Sequence, residues 1–224
     1  GVFNVEKALS VICGGVKVKA GNDANVAALG EMWQGGGKGY EDVVMITLGT
    51  GVGGGIIRGG KIVAGTNGAA GEIGHMPMID DESECCGCGK KGCLEQYASA
   101  NGLVNVAEKY IAAHRTVETE LDLNAGFTAK DVCDAAKAGD KAGLAAVEES
   151  MRLLGKAMAS VSCVIDPQVF VVGGGLSKAG NIIIDTASKY YKEYAFHASR
   201  KTEIKLATLG NAAGMYGGVK MVIG

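Results

Sequence analysis

Four of the chain's seven cysteines fall within nine positions, as Cys85, Cys86, Cys88 and Cys93 in "CCGCGKKGC", inside a polar stretch with few apolar residues. Such a stretch cannot hold a shape by burying side chains, so something other than a hydrophobic core must fix it. Cys86-x-Cys88-x4-Cys93, with His75 upstream, offers three sulfurs and one imidazole. That is a common tetrahedral donor set for structural zinc. The alternatives are a group of free thiols, a disulfide, or a redox pair at the Cys85-x-x-Cys88 spacing. The redox pair lacks a strand-to-helix context. An odd number of cysteines and the lack of a basic-then-apolar leader point to a reducing, cytoplasmic setting rather than a disulfide framework. The metal reading is therefore preferred, with Cys85 as a bystander. Cys133 and Cys163 lie on helical patterns and are expected as small core residues, leaving Cys13 unassigned.

The rest of the chain reads as alternating strands and helices. "VKVKAG" (16–21) alternates like a short strand, and "NDANVAALGEMWQ" follows as a helix that Asn22 or Asp23 can cap. "VVMITLG" (43–49) and "PQVFVVGGG" (167–175) are continuous apolar runs, as expected of strands buried on both faces. "GGGIIRGGKIVAG" reads as a hairpin turning at Gly59-Gly60. Helices are predicted from Leu94 toward Lys109, after Thr128, and after Asp140. The last carries Leu144, Val147, Met151, Leu154, Met158 and Val161 on one face. "NIIIDTASKYYKEY", "TEIKLATLG" and "NAAGMYGGVKMVI" read as helix, strand and final helix. This order implies an α/β domain, a mixed sheet covered by helices. A net charge of −2 argues against nucleic acid or a membrane surface as the main partner. No apolar run is long enough to span a bilayer.

Glycine is the outlier: 37 residues against two prolines, clustered in "GTGVGGG", "GTNGAAGEIG" and "VVGGGLS". Gly49, Gly51 and Gly54 spell G-x-G-x-x-G after a strand, but a hairpin follows where a dinucleotide site needs a helix. A glycine turn between strands can still cradle phosphate through successive backbone N–H groups, with Thr50 adding a hydroxyl. Gly174-Gly175 forms a second such turn, with a helix after it. Asp23 sits where a strand gives way to a helix, as an ordinary cap or as a general base for phosphoryl transfer. Asn22, Glu72 and Glu95 could pair with the hydroxyls of a sugar, or be ordinary polar positions.

Taken together, "GNDANVAALGE", "VVMITLGTGVGGGII", "GTNGAAGEIGHMP", "CGCGKKGCLEQYAS" and "VFVVGGGLS" resemble the ROK family of repressors, open reading frames and sugar kinases, most closely its glucokinases. The segments run in family order over nearly the whole chain. The resemblance implies an actin-like (ribonuclease H-like) ATPase fold and ATP-dependent phosphorylation of a hexose, glucose above all, at its 6-hydroxyl. It implies Asp23 as catalytic base, and Asn22, Asp23, Glu72, His75 and Glu95 as sugar contacts. Thr50, with Gly49 and Gly51, would lie along the ATP phosphates and Gly174-Gly175 near the adenosine. Zn2+ would sit on His75, Cys86, Cys88 and Cys93, closing a loop over 75–95, and Mg2+ would accompany ATP. His75 would serve both zinc and sugar through its two ring nitrogens.

The Asp-x-Gly-Gly-Thr phosphate loop that opens such kinases is missing from residues 1–224. The chain is thus expected to be the larger, C-terminal domain of a kinase. The helix at 211–223 would pack toward an N-terminal domain, and the isolated chain would be weakly active or inactive. The family also implies a dimer or tetramer. The other function it allows is the sugar-sensing domain of a transcriptional repressor, which carries the same zinc loop but has little need of Asp23 or an intact phosphate turn.

Overall fold

The computed structural model describes residues 3–224. A five-stranded sheet has the order β3-β2-β1-β4-β5, with β1 Val43–Leu48, β2 Val52–Arg58, β3 Lys61–Ile62, β4 Val169–Gly173 and β5 Glu203–Leu206. β1, β4 and β5 are parallel, while β1–β2–β3 form antiparallel pairs. The two apolar runs become the central strands because both faces of the sheet are covered. Val44, Ile46, Leu48, Phe170 and Val172 point into one core and Val43, Met45, Val169 and Val171 into the other, as the two-residue period of a strand dictates.

Helices α4 (Ala100–Ala113), α5 (Ala129–Lys137), α6 (Lys141–Ile165) and α7 (Asn181–Tyr194) cover the first face. Helix α2 (Asp23–Gln34) covers the second through Ala28, Leu29 and Met32. Helix α8 (Ala213–Ile223) crosses α2 so closely that a Cβ at Gly30 or Gly217 would strike the other helix's backbone. The far side of α8 leaves Met215, Val219 and Ile223 exposed. Thr128 opens α5 with a capping box completed by Asp131, and Asp140 caps α6 through the Gly143 amide. The hairpin turns at Gly59-Gly60, both at positive φ.

Four expectations need correction, and one helix was not foreseen. Residues 16–21 form no strand: they are mostly exposed and have no neighbouring strand, and alternation without a pairing partner does not make a sheet. The helix expected from Leu94 is broken in two, α3 (Glu95–Ala98) and α4, because Ser99 is extended and caps α4 through the Gly102 amide. Leu144 is 44% exposed, because α5 crosses α6 at Gly143 and turns the neighbouring position outward; Val147 to Val161 of the same row are buried. Cys163 is exposed on the last turns of α6 beside Val164, whereas Cys133 is buried. Helix α1 (Val5–Ile12), which periodicity had not singled out, caps on Asn4 and buries none of its residues.

Candidate functional site

The polar loop folds around its cysteines. Backbone pairing of Leu94 N with Met76 O (2.9 Å) and Met78 N with Gly92 O (2.7 Å) brings the two ends of the loop together. Turns from Cys86 N to Lys90 O and from Gly89 N to Cys86 O curl the cysteine knuckle back toward them. The ligand atoms of His75, Cys86, Cys88 and Cys93 then lie within 4.8 Å of one another. Cys86 Sγ is 3.8 Å from His75 Nδ1, and Cys88 Sγ is 3.6 Å from Cys93 Sγ. In a zinc tetrahedron with sulfur bonds near 2.3 Å, neighbouring sulfurs stand about 3.8 Å apart, so the spacing fits. All seven cysteines are free in this structure, and Cys85 is exposed outside the cluster. Burial, and then the Cys88 and Cys86 thiols, push Cys93 up to about 12. Burial likewise raises Cys86, while the Lys90 amide holds Cys88 below the usual thiol range. Thiols packed this closely resist joint ionisation, and a cation among them relieves that resistance.

Two of the polar residues singled out in the sequence, Glu72 and Glu95, stand against this cluster. His75 turns Nδ1 to the sulfurs and Nε2 to Glu72, whose carboxylate is 4.0 Å away. Glu95, at the start of α3, accepts the Val52 amide (3.1 Å) with one oxygen and lies 3.5 Å from the Cys86 thiol with the other. Its carboxylate fills the place a side chain at Gly51 would take. The glycine turn after β1 is thus joined to the metal-ligand cluster by one carboxylate. Asn22 is the true cap of α2, its Oδ1 accepting the Ala24 and Asn25 amides. Asp23 is thereby left exposed, with one oxygen on the Ala24 amide. The first turn of α2 lies against Gly53 and Gly55 on one side of β2, while Gly71, next to Glu72, lies against Gly54 on the other. No direct contact joins Asn22 or Asp23 to the Glu72–His75–Glu95 group.

The parallel strands end together. Beyond the carboxyl ends of β1 and β4, where open α/β sheets bind ligands, lies a cavity of about 920 Å³ lined by Gly49, Thr50 and Gly175. Gly51 and Gly174 do not line it. Gly51 lies under Glu95, and Gly174, at φ +90°, is pressed against the Leu48 backbone and shapes the turn. Sequence reasoning missed the remaining walls, which α4 supplies through Val104 and α5 through Cys133. It also missed Glu31. This carboxylate is fully buried and accepts the amides of Gly36, Thr208 and Leu209. It ties α2 to the segment leaving β5.

The family model described as ROK family matches residues 4–224. The chain belongs to the ROK family. A glucokinase of Halalkalibacterium halodurans is 44% identical over 200 residues, which are 88% of this chain and 61% of that protein. The chain spans only 61–66% of the length of the glucokinases it matches. Among solved ROK structures, a Streptomyces griseus glucokinase in complex with glucose and AMPPNP superposes with a TM-score of 0.80 at 35% identity, covering 97% of this chain and 71% of that one. A ROK family transcriptional regulator, a homolog of the E. coli MLC protein, superposes at 0.84 with 25% identity, covering 98% and 55%. The actin-like ATPase fold that the motifs implied is thus the fold of this chain. No helix among the described residues is long and apolar enough to cross a membrane.

Proposed function

We propose that the chain is the larger, C-terminal part of an ATP-dependent hexokinase that phosphorylates glucose at its 6-hydroxyl. The observation that carries this is the bridge made by Glu95. Its carboxylate links the glycine turn that borders the 920 Å³ cavity to the cluster holding Glu72 and His75. A donor in the cavity and a sugar against Glu72, His75 and Glu95 would therefore meet at Thr50.

In this reading Asp23 takes the proton of the 6-hydroxyl as its oxygen bonds to the γ-phosphorus. The bond from that phosphorus to the bridging oxygen breaks, and ADP leaves with that oxygen. Because Asn22 performs the capping, Asp23 keeps an oxygen for this task, and the Asn22 amide nitrogen is left for a sugar hydroxyl. The Thr50 backbone N–H and hydroxyl, beside Gly49, steady the phosphates, with Gly175 on the adenosine side and Mg2+ accompanying ATP. His75, Cys86, Cys88 and Cys93 would hold zinc, which would supply structural closure and no reaction chemistry. With Nδ1 turned to Cys86, His75 would keep Nε2–H as a donor toward the sugar once its other nitrogen is ligated. The exposed Asp23 and the intact cavity favour a kinase over a sugar-sensing repressor domain.

The site lies in the cytoplasm, in a protein that assembles as a dimer or tetramer. The exposed face of α8 meets the domain that carries the phosphate loop. Preorganised positioning supplies most of phosphoryl transfer, so residues 1–224 alone turn over slowly. The test is ADP release by the full-length protein with glucose, mannose, N-acetylmannosamine, N-acetylglucosamine and fructose. The highest kcat/KM is expected with glucose, and no sugar-dependent ADP release with any of the five overturns the proposal.

A further inference from the structure

The cavity beyond β1 and β4 has two polar side chains on its α4 wall, Asn101 and Asn105. They are four residues apart, so both project from one side of the helix. Between and opposite them the walls are apolar: Val104, Phe127, Cys133 and Leu176. The charged residues that α5 contributes are engaged with one another, as Lys130 and Lys137 both pair with Asp134 (2.6 and 3.6 Å). Flat apolar walls with a few fixed polar groups are what orient an aromatic ligand.

The start of α4 is fixed relative to the glycine turn, because the Ala100 amide donates to Gly49 O at 2.8 Å. Asn101 therefore stands beside the Gly49-Thr50 end of the cavity, and Asn105 about 6 Å farther along, four residues at a helical rise of about 1.5 Å each. A ribose and its base are offset on that scale. A side-chain amide presents one donor and one acceptor side by side. That pair matches adenine on either edge, its exocyclic amine together with N1 or with N7.

We propose that Asn105 reads the nucleobase of the phosphoryl donor and Asn101 its ribose hydroxyls, making the pair the determinants of donor specificity. The inference rests on the cavity being the donor site. It assigns α4, rather than the glycine turns, the choice of nucleotide.

The test is calorimetric titration of the full-length protein with ATP, GTP and 2′,3′-dideoxy-ATP. Wild type is expected to prefer ATP over GTP. Asn105→Asp replaces the donor–acceptor pair with two acceptors, which face adenine's ring nitrogens badly and guanine's N1–H and N2–H well. It should shift the ATP:GTP affinity ratio roughly ten- to a hundredfold toward GTP. Asn105→Ala should lose the preference without gaining GTP. Asn101→Ala should abolish the distinction between ATP and its dideoxy analogue and leave the ATP:GTP ratio unchanged. Both residues are exposed, and circular dichroism checks that the variants fold. Binding of ATP with a ratio that neither Asn105 variant moves overturns the specificity assignment and leaves the kinase reading standing. Absence of binding by any of the three nucleotides to wild type removes the donor site, and the inference with it.

Discussion

Glu82 gives the cysteine loop an anchor that owes nothing to a metal. Its side chain is only 6% exposed and accepts the Tyr97 hydroxyl at 2.5 Å and Lys109 Nζ at 3.0 Å, while the Glu84 amide donates back to it at 3.1 Å. The Tyr97 hydroxyl first, then the Glu84 amide and the Lys109 ammonium, hold its carboxyl at about 2 against an ordinary value of 4.5. At about 1.4 kcal/mol per unit, that displacement is worth up to about 3 kcal/mol of folding stability at neutral pH. Because the folded state lowers the pKa, the contribution is whole above the unfolded value and disappears as pH falls from about 4.5 through about 2. Glu82→Gln keeps an acceptor for Tyr97 but loses the charge facing Lys109. It should lower the melting temperature at pH 7 by about 4–8 °C, the equivalent of about 2 kcal/mol in a chain of this size. The assay is denaturant unfolding of wild type and variant, both in chelator, from pH 7 to pH 3. Under those conditions the free-energy difference at pH 3 should be less than half that at pH 7. A difference that stays constant across the range would refute the assignment of the stabilisation to this carboxylate.

Asp23→Asn in the full-length protein should lower kcat by about 10²- to 10⁴-fold while sugar KM stays near wild type; steady-state kinetics showing near-normal kcat removes Asp23 as the base. Cys88→Ser should reduce bound zinc from about one per chain to well below that, read by elemental analysis, and a wild-type chain without zinc rules out the structural metal. Glu31→Ala leaves three amides without their acceptor and should cost about 3 kcal/mol or more in urea unfolding. A loss below about 0.5 kcal/mol would mean that the Thr208–Leu209 segment is held by something else.

Where residues had to satisfy neighbours close in sequence, the chain could be read directly. Thr128 and Asp140 cap the helices they were expected to cap, and the Val43 and Val169 runs became central strands, because caps and two-sided burial leave local patterns. Of the metal-ligand cluster, the three cysteines are local and legible, whereas His75 reaches them only through the pairing of residues 76–78 with 92–94. What could not be read depends on contacts between distant segments. Residues 16–21 alternate like a strand but have no strand beside them. Leu144 lies on the apolar row of α6, yet the crossing of α5 at Gly143 decides which side of that turn is buried. Glu31 looks like a surface helix position, and only the arrival of residues 208–209 makes it an interior acceptor. The cavity walls come from α4 and α5, far in sequence from the glycine turns that announced the site.

The same reasoning explains how a polar loop can be given a shape without a core of its own. Residues 75 and 95 both stand against Cys86, yet the chain between them is polar and supplies little to bury. Hydrogen bonds alone could join the ends, as Leu94 to Met76 does, but they would leave the imidazole free to rotate about its own side-chain bonds. Cys86 Sγ against Nδ1 and Glu72 against Nε2 orient that ring from both sides. Glu95 carries the constraint onward, because its other oxygen is bound to the Val52 amide at the start of β2. The sheet, the glycine turn, the carboxylate and the imidazole thus form one connected frame. Within it the position of the Glu72–His75–Glu95 group relative to the cavity is set by the central strands, the most deeply buried part of the fold, rather than by the loop itself.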